Sequence, residues 1–230
     1  MQERIIQKSS ALEAFTLGAR GFENLSFSAR ALFNAILHIE LNGTDARYKT
    51  SGDVVLSKAL PERISRIEIV EAIEAIMCSI IVIHSDSGAS ERIQILGWTR
   101  LEGRDFTEIA LKYEVHQSFR DLLNDPASLK QLEAQLLNTF SSKYTMPLFR
   151  KIQELASCIP SGSRDYDISE LRGILNVESE QLRTTGNLNQ YAVKPAVFEV
   201  NALSRYRVEL SYTKTGRRIT GCILSWHYDV

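Results

Sequence analysis

Apolar residues first recur at helical spacing after Ser26, where Ala29, Leu32, Phe33, Ile36 and Leu37 line one face. Ser26 can cap the start of this helix, and the Asn42-Gly43 pair can stop or turn the chain beyond Leu41. The twenty residues at the N-terminus are mixed and weakly patterned. Residues 53–61 read as a short helix ended by Pro61. A clearer helix follows: Ser65 and Glu68 have capping-box spacing, and Ile69, Ile73, Ile76 and Ile80 recur every three or four residues. The period then changes. Residues 80–84 are rich in β-branched side chains and predict a strand, and 85–90 form a Ser/Asp/Gly loop. Residues 91–98 alternate, with Ile93 and Ile95 on one face, and predict the returning strand. Helices followed by a hairpin are the element order of a winged helix.

Ile109, Leu111, Tyr113 and Val115 alternate as in a strand, and 117–124 look helical up to the Asp125-Pro126 break. Leu129, Leu132, Leu136, Leu137 and Phe140 then form a helical stripe. Another helix starts near Ser142 and places Tyr144, Leu148, Phe149, Ile152 and Leu155 together, with a kink expected at Pro147. Pro160-Ser161-Gly162-Ser163 reads as a loop. The last third repeats the order of the first. A short helix spans 169–175, a polar stretch covers 178–187, and a longer helix over 191–203 carries Val193, Ala196, Val197 and Val200 on its apolar face. A strand over 205–212 alternates Val208, Leu210 and Tyr212; a basic turn from Thr213 to Arg218 centres on Gly216, and 219–227 return. The expected fold class is α+β: tandem winged-helix domains in a pseudo-two-fold relationship, at 1–141 and 142–230, joined by the helix from about 142 to 157.

Charge changes this picture locally. The 230 residues are 44% hydrophobic and 24% charged, enough for a sizeable core and against global disorder. With 27 Lys plus Arg and 28 Asp plus Glu, the net charge of -1 announces no nucleic-acid partner for the chain as a whole. The distribution is uneven. Residues 181–218 hold seven basic side chains (Arg183, Lys194, Arg205, Arg207, Lys214, Arg217, Arg218) against Glu199 and Glu209, a local +5 with -6 elsewhere. Such a segment fits a face that meets phosphate, or a solvated hairpin.

Candidate chemistry is sparse. Cys78, Cys158 and Cys222 are far apart, which excludes CxxC metal and redox centres and argues against a disulfide scaffold. No P-loop, GxGxxG, HExxH or GxSxG pattern occurs, and Thr213-Lys214-Thr215-Gly216 is not a P-loop. His38, His84, His116 and His227 lack ligand spacing, and no His-x-His pair could serve a DNA-nicking tyrosine. Asp165 and Asp167 flank Tyr166 just before a helix, where capping explains them. No enzyme activity, cofactor or metal is expected. Nor does any run approach the ~20 apolar residues that cross a bilayer. The N-terminus, MQERIIQKSS, lacks the apolar stretch of a signal peptide, so a cytoplasmic location without membrane contact is expected.

Several of these segments resemble, in order, the plasmid replication initiators of the iteron-binding, two-winged-helix type. Leu25-Ser26 with Leu32-Phe33-Asn34 is similar to that family's opening helix, and Ser142-Lys143-Tyr144-Thr145-Met146-Pro147-Leu148-Phe149 to its "SKYxxxLY" segment. Asp167-Ile168-Ser169-Glu170-Leu171-Arg172 leads to a stretch from Val193 to Asn201 similar to "VxxPAxxEIN", and Lys214 to Arg218 is similar to the "KxGR" turn. The likeness spans about 22 to 226, strongest in the last ninety residues.

The resemblance implies binding to double-stranded DNA at origin repeats, recruitment of host replication proteins, and often repression of the initiator's own gene. It also implies a homodimer with a monomer form, the first unit making the dimer interface. Asn187, Asn189, Gln190 and Lys194 then become major-groove contacts, and Arg205, Arg207, Lys214, Arg217 and Arg218 backbone contacts, with Glu199 and Asn201 structural. Pro195 is expected to kink the reading helix and limit its reach. The first unit's equivalent helix carries Arg66 against Glu68, Glu71 and Glu74, a poor match to phosphate. That unit is expected to use Arg63 and Arg66 or to bind protein, and to contribute more to self-association than to DNA affinity. A repressor without initiation activity and a protein-interaction module stay open as alternatives.

Overall fold

The computed structural model describes residues 15–17, 24–42, 52–55, 64–84, 90–103, 109–216 and 218–228. The helix after Ser26 is α1 (Phe27–Asn42), and the Ser26 hydroxyl accepts from the Ala29 amide at 3.2 Å. It buries Ala29, Leu32, Phe33, Ile36 and Leu37. α2 (Arg66–Met77) starts with the expected capping box: Ser65 Oγ accepts from the Glu68 amide, and the Glu68 carboxylate accepts from the Ser65 amide. Ile69, Ile73 and Ile76 face the core, but Ile80 has left the helix and is 42% exposed at the start of β3 (Ile80–His84).

Two other expectations for this half are overturned. Residues 53–55 of the expected 53–61 helix belong to a strand, β2 (Gly52–Val55), and the rest of that stretch lies outside the described residues. Val54 pairs with Leu111 and Val55 with Ala110 on β6 (Ala110–Val115), so two β-branched residues satisfy their backbone across a sheet. Residues 91–98 are not one strand either. β4 (Ser90–Gln94) pairs with β3, the chain bends at Ile95, and β5 (Leu96–Glu102) pairs with β6 in a second sheet. Both Ile93 and Ile95 are buried, and the alternation runs unbroken through a change of partner. The sheets are ordered β1-β3-β4, with β1 at Phe15–Leu17, and β2-β6-β5. α3 (Gln117–Leu123) and α4 (Pro126–Leu137) follow, with Asp125 capping α4 and Pro126 in its first turn. A buried ion pair, Arg120 with Glu40 at 2.8 Å, ties α3 to α1.

The second core is built by α5 (Thr145–Cys158), β7 (Ser161–Asp167), α6 (Ile168–Ile174), a helical run from Thr185 to Leu203, and the hairpin of β8 (Tyr206–Thr215) and β9 (Arg218–Tyr228). This is the helix, strand, helix, helix, hairpin order of a winged helix. Leu148, Phe149, Ile152, Leu171, Leu188, Ala196, Val200, Leu224 and Trp226 meet in it. Pro147 does not kink α5. It occupies the third helical position, where the amide has no intrahelical partner to lose. The expected loop at 160–163 is largely the start of β7, whose pattern hides because only Tyr166 is buried. β7 is held instead by its register on β9, with Gly162 opposite Trp226 and Tyr166 opposite Cys222. Gly221 of the central strand is needed there: a Cβ would stand 2.7 Å from the Tyr166 carbonyl oxygen and 3.0 Å from Thr213 Oγ1.

The order of helices then hairpin thus recurs, but the sheets are wired differently. The central strand is the return strand β9 in order β7-β9-β8, whereas it is the outgoing strand β3 in the first half. The two cores touch through α1. Asn34 Nδ2 donates to the carbonyls of Ala202 (2.9 Å) and Ser204 (3.3 Å), and Phe27 stacks on Phe198 with centroids 5.0 Å apart.

Cys78 and Cys158 are exposed and Cys222 is buried, its thiol pushed up to about 11 by burial and then by Asp165, Glu170 and Asp167. A rise from the ordinary 9 leaves on the order of a hundredfold less thiolate. At pH 8 a disulfide reagent is therefore expected to modify two thiols rapidly and the third only on unfolding; three equally fast thiols would contradict this packing. Between pH 9 and 11 the unfolded chain loses a proton that the folded chain keeps, so this thiol makes stability fall as pH rises.

Candidate nucleic-acid interface

The segment leading into the reading helix is organised by one arginine. Asp167 and Glu170 form a capping box at the start of α6. From α6, Arg172 donates to the carbonyls of Glu178 (2.6 Å), Leu182 (3.0 Å) and Ser179 (3.3 Å), and to that of Gln181. Leu182 sits at φ 46°, a left-handed turn that non-glycine residues adopt at a cost and that these four bonds brace. Thr184 then caps the next helix by accepting from the Asn187 amide at 3.2 Å.

The run from Thr185 to Leu203 comprises α7 (Thr185–Leu188), one π turn over Asn189–Val193, and α8 (Lys194–Leu203). The reading helix therefore begins six residues before Tyr191. The π turn is how the chain accommodates Pro195: the Lys194 amide reaches back to the Asn189 carbonyl, and the widened turn relieves the clash a proline makes inside an α-helix. Helical backbone continues through Pro195 to Leu203.

Leu188, Ala192, Val193, Ala196 and Val200 face the core. On the opposite side Asn187, Gln190 and Lys194 are exposed, joined by Tyr191 at 56% exposure. Asn189 is turned away from them. It is half-buried, and its Oδ1 accepts from the Tyr212 hydroxyl at 3.1 Å. Burial pushes that phenol up to about 12, with Cys222 adding to the rise, so the donor stays protonated through the physiological range.

The hairpin turn carries Gly216 at φ 61°, and a register shift lies between Thr213 and Lys214. Lys214 and Arg218 are exposed beside the turn; Arg217 lies outside the described residues. Arg205 and Arg207 belong to the other end of the hairpin. Thr215 is eight residues beyond Arg207, or ~26 Å along a strand. Arg205 forms an ion pair with Glu133 of α4 at 2.5 Å and donates to Tyr228 at 3.2 Å. Arg207 donates to the carbonyl of Asn201 at 2.8 Å. The sequence pattern groups these two arginines with the turn by charge alone; folding separates them from it.

Glu199 and Asn201 are structural. Glu199 is buried; its carboxylate accepts from the amides of Ser141 (3.1 Å) and Ser142 (3.2 Å), from Thr145 Oγ1 (2.6 Å) and from Ser141 Oγ. Asn201 bonds both the amide and the carbonyl of Val208, fixing α8 to β8.

In the first half, Arg66 donates to the Gly103 carbonyl and Glu68 is held in its capping box, while Glu71 and Glu74 are exposed with Ile67. Arg63 lies outside the described residues. Tyr191 is the exposed residue that sequence reasoning left out of the reading edge. Its spacing of four from Asn187 and three from Lys194 marks it. No helix among the described residues is long and apolar enough to cross a membrane.

Residues 167–226 match the family model "Initiator Rep protein, WH2". This covers the reading helix and the hairpin. A "Probable replication protein rep" of Bifidobacterium longum (strain NCC 2705) is 29% identical over 117 residues, 50% of this chain and 38% of that protein. The chain thus spans under two-fifths of the length of that curated relative. Among solved structures, domains 2 and 3 of RctB align over 97% of this chain and 94% of theirs, at 12% identity and a TM-score of 0.33. The Pi initiator protein in complex with iteron DNA aligns over 96% of this chain and 99% of its own, at 11% identity and a TM-score of 0.37.

Proposed function

We propose, from the initiator Rep winged-helix match over 167–226, that this chain binds double-stranded DNA sequence-specifically and initiates plasmid replication at origin repeats. One observation carries the reading: within that segment an exposed stripe of Asn187, Gln190 and Lys194 stands on a helix whose other face is core, and the Tyr212–Asn189 hydrogen bond ties that helix to the hairpin whose tip bears Lys214 and Arg218. A helix fits the major groove, where amide side chains pair with adenine edges. Ammonium and guanidinium groups on a wing meet phosphates without reading bases. In this reading residues 142–230 bind DNA, Arg217 joins the wing contacts, and Arg205 and Arg207 serve the fold. Residues 1–141 favour self-association, because Glu71 and Glu74 would repel phosphate. A homodimer with a monomer form, host replication proteins as partners, a cytoplasmic setting and a non-enzymatic role belong to the same proposal.

The test is a DNA circle carrying the DNA that flanks the gene, supplied with the protein in trans. Maintenance that depends on the protein supports initiation. Repression of a reporter without maintenance favours the repressor reading, which the near-neutral charge of -1 recommends. Gln190→Ala is expected to relax preference at one base position by about 1–3 kcal/mol, measured on a panel of single-base substitutions. An unchanged preference at every position would remove Gln190 from the reading edge.

A further inference from the structure

We infer that Tyr191 is a specificity-determining residue that reads the 5-methyl group of a thymine in the major groove. The inference rests on the proposed DNA-binding reading and adds a base and an atom to it.

Tyr191 is 56% exposed, although it lies in a segment whose neighbours Leu188, Ala192 and Val193 are buried. A large ring in that position gives nothing to the core. It stands at the middle residue of the π turn, where the helix is widest, with Asn187 before it and Lys194 after it. Asn189, the polar residue next to Gln190, is drawn to the hairpin by Tyr212. The exposed groups in the centre of the edge are therefore an amide, Gln190, and a ring, Tyr191.

Those two groups suit different bases. An amide pairs with the N6 and N7 of adenine. Among major-groove edges only thymine presents an apolar group, its methyl, and an apolar side chain is what recognises it. An aromatic ring brings a rigid apolar surface at small entropic cost, because only two side-chain torsions are fixed. Neighbouring Gln190 and Tyr191 thus select a step containing A·T pairs, the amide by hydrogen bonds and the ring by methyl contact.

The test uses the full chain. Duplexes are enriched from a random library, and each thymine of the enriched site is replaced singly by uracil, which lacks only the methyl. Burying one methyl predicts a three- to tenfold loss at one thymine, the scale of about one CH₂ or slightly more. Tyr191→Phe keeps that loss, and Tyr191→Ser abolishes the difference between thymine and uracil at the same position. The inference is overturned if no uracil weakens the wild type by twofold, a result that needs no variant to fold. It is also overturned if the loss persists undiminished in Tyr191→Ser. If no duplex is enriched at all, the DNA-binding reading beneath it falls as well.

Discussion

Glu199→Ala is expected to destabilise the folded chain by about 3–4 kcal/mol, because the Ser141 and Ser142 amides and the Ser141 and Thr145 hydroxyls all lose their acceptor. Hydrogen bonds to a charged group are the stronger kind, and donors left without a partner carry their desolvation cost in full. The location raises the consequence further. Ser141 and Ser142 stand between α4 and α5, so the carboxylate pins the segment between the two cores to the C-terminal half of the reading helix. Glu199→Gln keeps one accepting oxygen and the shape, and is expected to lose about half as much. Urea unfolding of the three proteins decides it. An alanine variant within 1 kcal/mol of the wild type would mean the four bonds contribute little net free energy.

The second large effect concerns binding. Lys214→Ala with Arg218→Ala is expected to weaken specific and non-specific DNA alike and to lower the salt slope by up to about 2, since each phosphate contact contributes about 0.9. Base preference should not move, because contacts to phosphate carry no sequence information directly. Arg205→Ala is the informative contrast. Its guanidinium is paired with Glu133, whose carboxyl burial holds above the usual carboxylate range against the opposing pull of Arg205. That variant should lose stability and keep the slope. Titrations at several salt concentrations separate the two. A full slope in the double variant would take the wing off the DNA.

What the sequence makes legible, and what it hides, follows from where the stabilising contacts come from. The helices at 27–42, 66–77 and 145–158 show themselves because each buries a 3.6-residue stripe of its own. The capping boxes at Ser65 and Asp167 are local and just as visible. β7 is hidden because Ser-Gly-Ser-Arg-Asp-Tyr-Asp buries one side chain and owes its strand to β9. β2 is hidden for the same reason, its partner β6 lying more than fifty residues on. At the candidate site, spacing picks out Asn187, Gln190 and Lys194, whose exposure depends only on the helix they sit on. It does not show that Asn189, Arg205 and Arg207 are engaged within the protein, by Tyr212, Glu133 and the end of α8. Charge counting along the chain cannot see that an arginine is already engaged by a carboxylate from another helix.

In the proposed function the edge formed by Asn187, Gln190, Tyr191 and Lys194 reads a DNA sequence. The most direct measurement is the equilibrium affinity of the full chain, at one fixed salt concentration, for a duplex enriched from a random library and for a scrambled duplex of the same composition. A preference on the order of a thousandfold or more for the enriched duplex is expected, falling toward the scrambled value when Gln190 and Lys194 are both changed to alanine. Equal affinity for the two duplexes, or a preference that survives the double substitution intact, would contradict it.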